Sequence, residues 1–89
     1  LPNYYFIVNP AAGRGRCFHL GKQLEERLPQ LGLDFLLEYT CAPWDAAKLA
    51  QKAVNKFDVL VVVGGDGTLH EVVNGLAGQK ATLGLLPEG

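Results

Sequence analysis

The chain has 89 residues, with 8 Lys and Arg against 9 Asp and Glu and 48% apolar side chains. That supports one modest core and leaves no room for a second domain, while a near-zero net charge with scattered basic residues argues against a nucleic-acid partner. Cys17 and Cys41 have neither CxxC spacing nor the density of a secreted disulfide scaffold, so a reducing cytoplasm is expected, and no apolar segment is long enough to span a bilayer, which leaves only a peripheral membrane role.

Residues 4–9 read as strand one, followed by the turn Asn9-Pro10-Ala11-Ala12-Gly13-Arg14-Gly15-Arg16. Helix one covers 18–31, with Leu24, Leu28 and Leu31 as its inner face and Pro29 placed to stop or bend it. Strand two covers 34–39 and leads through Thr40-Cys41-Ala42-Pro43 into helix two, 44–55. There Ala46, Leu49, Ala50, Ala53 and Val54 share a side, Pro43 suits a helix start, and Asp45 falls in the favourable first turn. Strand three, 59–63, is an unbroken run of Val and Leu, as expected of a central strand covered on both faces. The turn Gly64-Gly65-Asp66-Gly67 then opens helix three, 68–76, whose apolar stripe is Leu69, Val72, Val73 and Leu76. Strand four covers 81–86, and the chain stops in the turn 87–89. Starting at Leu1 and stopping directly after an apolar run, it reads as part of a longer chain. The alternation of strand and helix predicts an α/β, Rossmann-like three-layer domain with a mainly parallel sheet.

In such a sheet the ligand site lies beyond the carboxyl ends of the strands, at the switch in strand order. All the strand-to-helix turns therefore fall on one edge. The turn after strand three is the most specific: its glycines permit backbone angles and close ligand approach that a Cβ would forbid. Free N–H groups and the positive dipole end of helix three meet there, a ready cradle for phosphate. Asp66 is the anomaly, since its charge repels phosphate unless a cation intervenes, and magnesium is therefore implied. The plain alternative is a structural turn in which Thr68 caps helix three. Asn9-Pro10 is also a common turn initiator, and Arg14 and Arg16 either meet phosphate or are merely solvated. Thr40 has equal claims as a helix cap and as a hydroxyl donor to a nucleotide. His70, Glu71 and Asn74 lie on the polar side of helix three, whereas His19, Trp44 and the cysteines read as structural or incidental.

Together these residues resemble the catalytic domain of the diacylglycerol kinase family of lipid kinases, which includes sphingosine and ceramide kinases, and are most similar to its soluble bacterial members. The resemblance rests on Asn9-Pro10-Ala11-Ala12-Gly13, on Thr40, on the segment Gly64-Gly65-Asp66-Gly67-Thr68-Leu69-His70-Glu71 with its continuation to Gly75, and on 83–89. It implies the N-terminal portion of a lipid/NAD kinase-like nucleotide-binding domain. Asn9 to Gly13 and Thr40 would contact ATP, while Gly64, Gly65, Asp66, Gly67, Thr68, Leu69, His70 and Glu71 would hold its phosphates and adenosine side. By the same resemblance Asp66 would carry the catalytic role and Gly89 would open the lipid-facing cleft. The remainder of that domain, and a β-rich domain supplying metal ligands and the base, lie outside these residues, so the fragment should not complete the reaction by itself. Two departures stand out: Trp44-Asp45-Ala46 replaces the family's frequent Gly-(His/Asp)-Ala, and His70 replaces a frequent Asn. The implied reaction is transfer of the γ-phosphoryl of ATP to a lipid hydroxyl at a membrane surface, with magnesium.

Three rivals share parts of this pattern. An NAD kinase or phosphofructokinase has the same Gly-Gly-Asp-Gly turn, but the Asn-Pro-Ala-Ala-Gly turn favours the lipid kinase. A nucleotide-binding regulatory module without catalysis would keep the cradle and lack the downstream chemistry. A plain dinucleotide-binding domain lacks its Gly-x-Gly-x-x-Gly after strand one.

Overall fold

A computed structural model describes residues 2–87. Four strands and three helices alternate without exception: β1 (Asn3–Val8), α1 (Arg16–Gln30), β2 (Asp34–Tyr39), α2 (Asp45–Ala53), β3 (Val59–Gly64), α3 (Asp66–Leu76) and β4 (Thr82–Pro87). All strands are parallel, in the order β2-β1-β3-β4. The expected α/β, three-layer architecture is therefore the one observed.

Each central strand is buried on both faces, and its alternating side chains feed two separate cores. Tyr5, Ile7, Leu60 and Val62 pack with Ala46, Ala50, Ala53, Val72 and Leu76 of α2 and α3. Phe6, Val8, Val61 and Val63 face the other way, against Cys17 and Leu28 of α1. Complete burial of a side chain such as Ile7, Leu60 or Val62 contributes about 2 kcal/mol relative to exposure, so β1 and β3 anchor the sheet. The chain runs left from β1 through α1 to β2 and then crosses back over the opposite face to β3. The switch in strand order thus falls between β1 and β3, and two strand-to-helix turns emerge there side by side.

Several boundaries differ from the sequence expectation, each for a local reason. Asn9 has left the strand, because its side chain is engaged in the following turn. Leu31 is 71% exposed instead of forming the inner face of α1; the buried positions are Cys17, Gly21 and Leu28. Pro29 lies in the last turn of α1, which ends one residue later, and Gly32 at φ +72 redirects the chain. Trp44 and Val54 flank α2 and are not within it. In α3 the buried face is Thr68, Val72, Gly75 and Leu76, and Val73 is 52% exposed. The stripe rotates because Gly75 is the contact with α2: a Cβ there would come within 2.5 Å of the Ala47 carbonyl oxygen. Two small residues let the helices touch through their backbones.

Candidate functional site

The turns after β1 and β3 meet at the carboxyl edge and are bound to each other. Asn9 donates from its backbone N–H to the Val63 carbonyl at 3.0 Å. Its amide Nδ2 donates to Thr68 Oγ1 at 3.1 Å, and its Oδ1 accepts from the Ala11 N–H at 3.1 Å. One side chain therefore shapes its own turn and clamps it to the first turn of α3. From the other flank, the Thr40 N–H donates to the Val8 carbonyl at 2.8 Å, extending the β1–β2 pairing by one residue.

The glycines of the two turns serve different physical ends. After β1, Gly13, Arg14 and Gly15 all have positive φ, at 64°, 59° and 89°, and Gly15 starts α1. This turn needs glycine for backbone freedom. After β3, Gly65 is extended at φ −110°, and neither Gly64 nor Gly67 has positive φ, so special backbone angles are not what this turn uses. At Gly64 a Cβ would stand 2.7 Å from Thr68 Oγ1 and collide with the hydroxyl that Asn9 holds. At Gly67 a Cβ would meet nothing within 4 Å; it would project into open space. Gly64 thus makes room for Thr68, and Gly67 keeps a concavity clear.

α3 begins at Asp66, two residues earlier than the pattern suggests, with Gly65 as its cap and no side-chain cap. Thr68 is the third helical residue, 5% exposed, and holds the Asn9 amide, which removes the reading of Thr68 as a cap. The first helical bond runs from the Leu69 N–H to the Gly65 carbonyl, leaving the N–H groups of the first turn without intrahelical acceptors. Asp66 is exposed at this positive end, and no hydrogen bond or ion pair among the described residues engages it. Thr40 does not cap α2 either. That helix starts after Trp44, at φ +70, and the Asp45 carboxylate reaches back to accept from the Cys41 and Ala42 N–H groups at 2.8 and 3.0 Å.

Two adjoining hollows result. The smaller-walled one, of about 410 Å³, is bounded by Asn9, Ala12, Gly65, Asp66, Gly67, Thr68 and Glu71. The other, of about 420 Å³, runs from Asn9, Pro10, Ala11, Thr68 and Glu71 across to Thr40, Cys41, Ala42, Pro43 and Ala46. Asn9, Thr68 and Glu71 border both, so the two form one continuous cleft. Of the residues singled out from sequence, ten meet here: Asn9, Pro10, Ala11, Ala12, Thr40, Gly65, Asp66, Gly67, Thr68 and Glu71. Gly13 and Gly64 shape the turns without lining the cleft. Leu69 turns inward against the α2–α3 core, because one residue along a helix rotates about 100° from Thr68. His70 is exposed beside Trp44 and accepts at its main-chain carbonyl from the Asn74 amide at 2.8 Å. Gly89 lies outside the described residues.

Cys41, Ala42, Pro43 and Ala46 are wall residues that the sequence pattern did not single out, and the Asp45 tie explains how their turn keeps its shape. Only the short spacing from Thr40 to Asp45 could have signalled it. Arg16 folds onto its own turn, donating from Nε to the Gly13 carbonyl at 2.9 Å. The tyrosines with displaced ionisation lie off the cleft. Burial first, then the hydrogen bond to Glu25, pushes Tyr39 up to about 12, and burial together with Glu38 raises Tyr5.

The cleft offers unpaired helix N–H groups, a hydroxyl, a fixed amide and an unpaired carboxylate, a combination suited to a phosphorylated ligand with an accompanying cation. The chain as a whole is similar to known proteins. Residues 3–89 match the family described as the diacylglycerol kinase catalytic domain. The chain is 37% identical over 86 residues to a diacylglycerol kinase of Bacillus subtilis, covering 93% of this chain and 28% of that protein. It is 32% identical over 91 residues to sphingosine kinase B of Dictyostelium discoideum, covering 93% of this chain and 12% of the relative. A crystal structure of a diacylglycerol kinase from Bacillus anthracis superposes with a TM-score of 0.79 at 36% identity, covering 99% of this chain and 33% of that one. The chain therefore spans less than a third of the length of the curated relatives it matches here.

Proposed function

We propose that this chain, which belongs to the diacylglycerol kinase catalytic domain family, is the ATP-binding part of a lipid kinase that transfers the γ-phosphoryl of ATP to a lipid hydroxyl such as that of diacylglycerol. The observation that carries this reading is Asp66 standing at the start of α3 with no partner among the described residues, in a concavity that Gly67 keeps free of side chains. A carboxylate without a hydrogen-bond partner beside helix N–H groups, favourable there to the helix dipole, also suits a ligand that brings its own cation.

The residues fit magnesium in a limited sense. Among the described residues no group of three or more His, Cys, Asp or Glu could enclose an ion. Magnesium habitually takes one or two carboxylates and completes its shell with phosphate oxygens and water. Asp66, with Glu71 bordering the same hollow, matches that habit. When bound with ATP, the ion supplies charge neutralisation on the phosphates. The chain's own part is to orient them: the first-turn N–H groups of α3 face the phosphates, the Asn9–Thr68 pair fixes the distance between the two turns, and Thr40 borders the far wall. Positioning of this kind is the larger share of phosphoryl-transfer catalysis.

The acceptor lipid would be met at a membrane surface by a peripherally attached protein on the cytoplasmic side. No helix among the described residues is long and apolar enough to cross a membrane. The lipid-facing cleft and the base belong, in this reading, to further parts of the protein, for which the 28% coverage of the Bacillus subtilis relative leaves ample length.

The test is phosphorylation of a panel of diacylglycerol, sphingosine and ceramide vesicles with labelled ATP, comparing the full-length protein with Asp66→Asn. Labelled lipid that falls at least a hundredfold in the variant is expected, as for loss of a group acting on the transferred phosphoryl. Undiminished activity in the variant would remove Asp66 from the mechanism, and labelled NAD without labelled lipid would replace the lipid reading with an NAD kinase.

A further inference from the structure

We propose that Trp44 is the surface on which the base of the bound nucleotide stacks, an inference that rests on the nucleotide reading above. Trp44 occupies a backbone conformation that suits glycine or asparagine, at φ +70 and ψ 1, immediately before α2. For a bulky residue this is a strained state. Such strain persists where the surroundings enforce it, and it collects at ligand sites. The enforcing contacts are visible: the Asp45 carboxylate holds the Cys41 and Ala42 N–H groups, and the Asp45 N–H donates to the Ala42 carbonyl at 3.2 Å.

The indole gains little from the fold in return. It is 52% exposed and belongs to neither core. Its one ring neighbour among the described residues is His70, at 6.5 Å between centroids and an angle of 54°, too loose to cover the indole. Both residues nevertheless adjoin the cleft in sequence. Pro43 and Ala46, on either side of Trp44, line the larger hollow, and Glu71, next to His70, lines both.

The two hollows differ in chemistry, which sets the direction of the ligand. The one at the glycine turn offers N–H groups, a hydroxyl and carboxylates, as phosphates and their cation require. The other adds an apolar wall of Pro10, Ala11, Ala42, Pro43 and Ala46 to the polar Asn9, Thr40, Thr68 and Glu71. A nucleotide with its phosphates at α3 therefore lays its planar, weakly polar base toward the turn that carries Trp44. An exposed indole in the chain between Pro43 and Ala46, two residues that wall this hollow, is the side chain most able to stack on such a base, and stacking favours the larger purine.

The test compares binding of ATP, CTP and inorganic tripolyphosphate by calorimetry to the full-length protein and to Trp44→Gly and Trp44→Asn. Both substitutions suit φ +70, so their urea midpoints should equal or exceed that of the parent. The stacking role predicts ATP binding about tenfold weaker in both variants, a smaller loss for CTP and no change for tripolyphosphate. Trp44→Phe should restore most of the ATP affinity. Unchanged ATP affinity in either folded variant would overturn the stacking role alone, as would an equal loss for tripolyphosphate, which marks a purely structural residue. Failure of the parent protein to bind ATP would instead overturn the nucleotide reading, and this inference with it.

Discussion

At both ends of the sheet an asparagine of the β1 segment reaches toward an aspartate-bearing turn beside β3, and the two ends are used in opposite ways. At the amino end Asn3 and Asp58 close on each other. The Asn3 N–H donates to the Asp58 carboxylate at 2.9 Å, the Asp58 N–H donates to Asn3 Oδ1 at 2.7 Å, and Asn3 Nδ2 donates to the Lys56 carbonyl at 3.1 Å. At the carboxyl end Asn9 is equally engaged, but with Thr68 and its own turn, and Asp66 is left without a partner. The same residue types thus finish one end of the sheet and leave a carboxylate exposed at the other. A carboxylate whose hydrogen-bonding capacity is spent on backbone N–H groups is structural; one held bare at a helix N-terminus is available to a ligand.

That contrast can be broken by substitution, and the effects should fall in a definite order. Gly64→Ala should act most strongly, lowering stability by about 2 kcal/mol in urea unfolding, because the new methyl collides with the buried Thr68 that ties the two turns. Asp58→Ala comes next, at about 1 kcal/mol for the lost bond from the Asn3 N–H to its carboxylate, with ATP affinity unchanged in calorimetric titration. If Asp58→Ala weakened ATP binding instead, the two ends would be coupled and the division between them would fail. Gly67→Ala has the smallest effect on stability and the opposite sign. Helical, without positive φ and facing open space, it should raise the urea-unfolding free energy by about 0.5 kcal/mol, while its methyl enters the phosphate hollow and weakens ATP. A stabilised variant with full affinity would show that the open space at Gly67 is not where the phosphates lie.

Much of this architecture was legible in the chain because burial imposes its own periodicity. The run 59–63 could only be a strand covered twice, and the alternation of apolar runs with amphipathic stretches led directly to the parallel α/β sheet. The glycine turn with Asp66 is equally legible as a motif, although packing against Thr68 accounts for Gly64 alone. Less accessible were positions where a long-range partner overrode local pattern. Thr68 has the composition of a helix cap, yet Asn9, 59 residues away, draws its hydroxyl into a clamp. Val73 belongs to an apolar stripe by spacing, yet Gly75 brings α2 against the neighbouring face. Trp44 looked incidental because strain at φ +70 has no signature in residue type.

By itself, then, the sequence determined which segments are strands and helices and that their sheet is parallel, because each follows from local periodicity and backbone chemistry. Only the tertiary structure decided which glycines supply freedom and which supply empty space, that Asn9 joins the two turns, and that Asp58 is occupied where Asp66 is bare. Those distinctions depend on which atoms distant segments bring within bonding range, and residue spacing along one chain does not encode that.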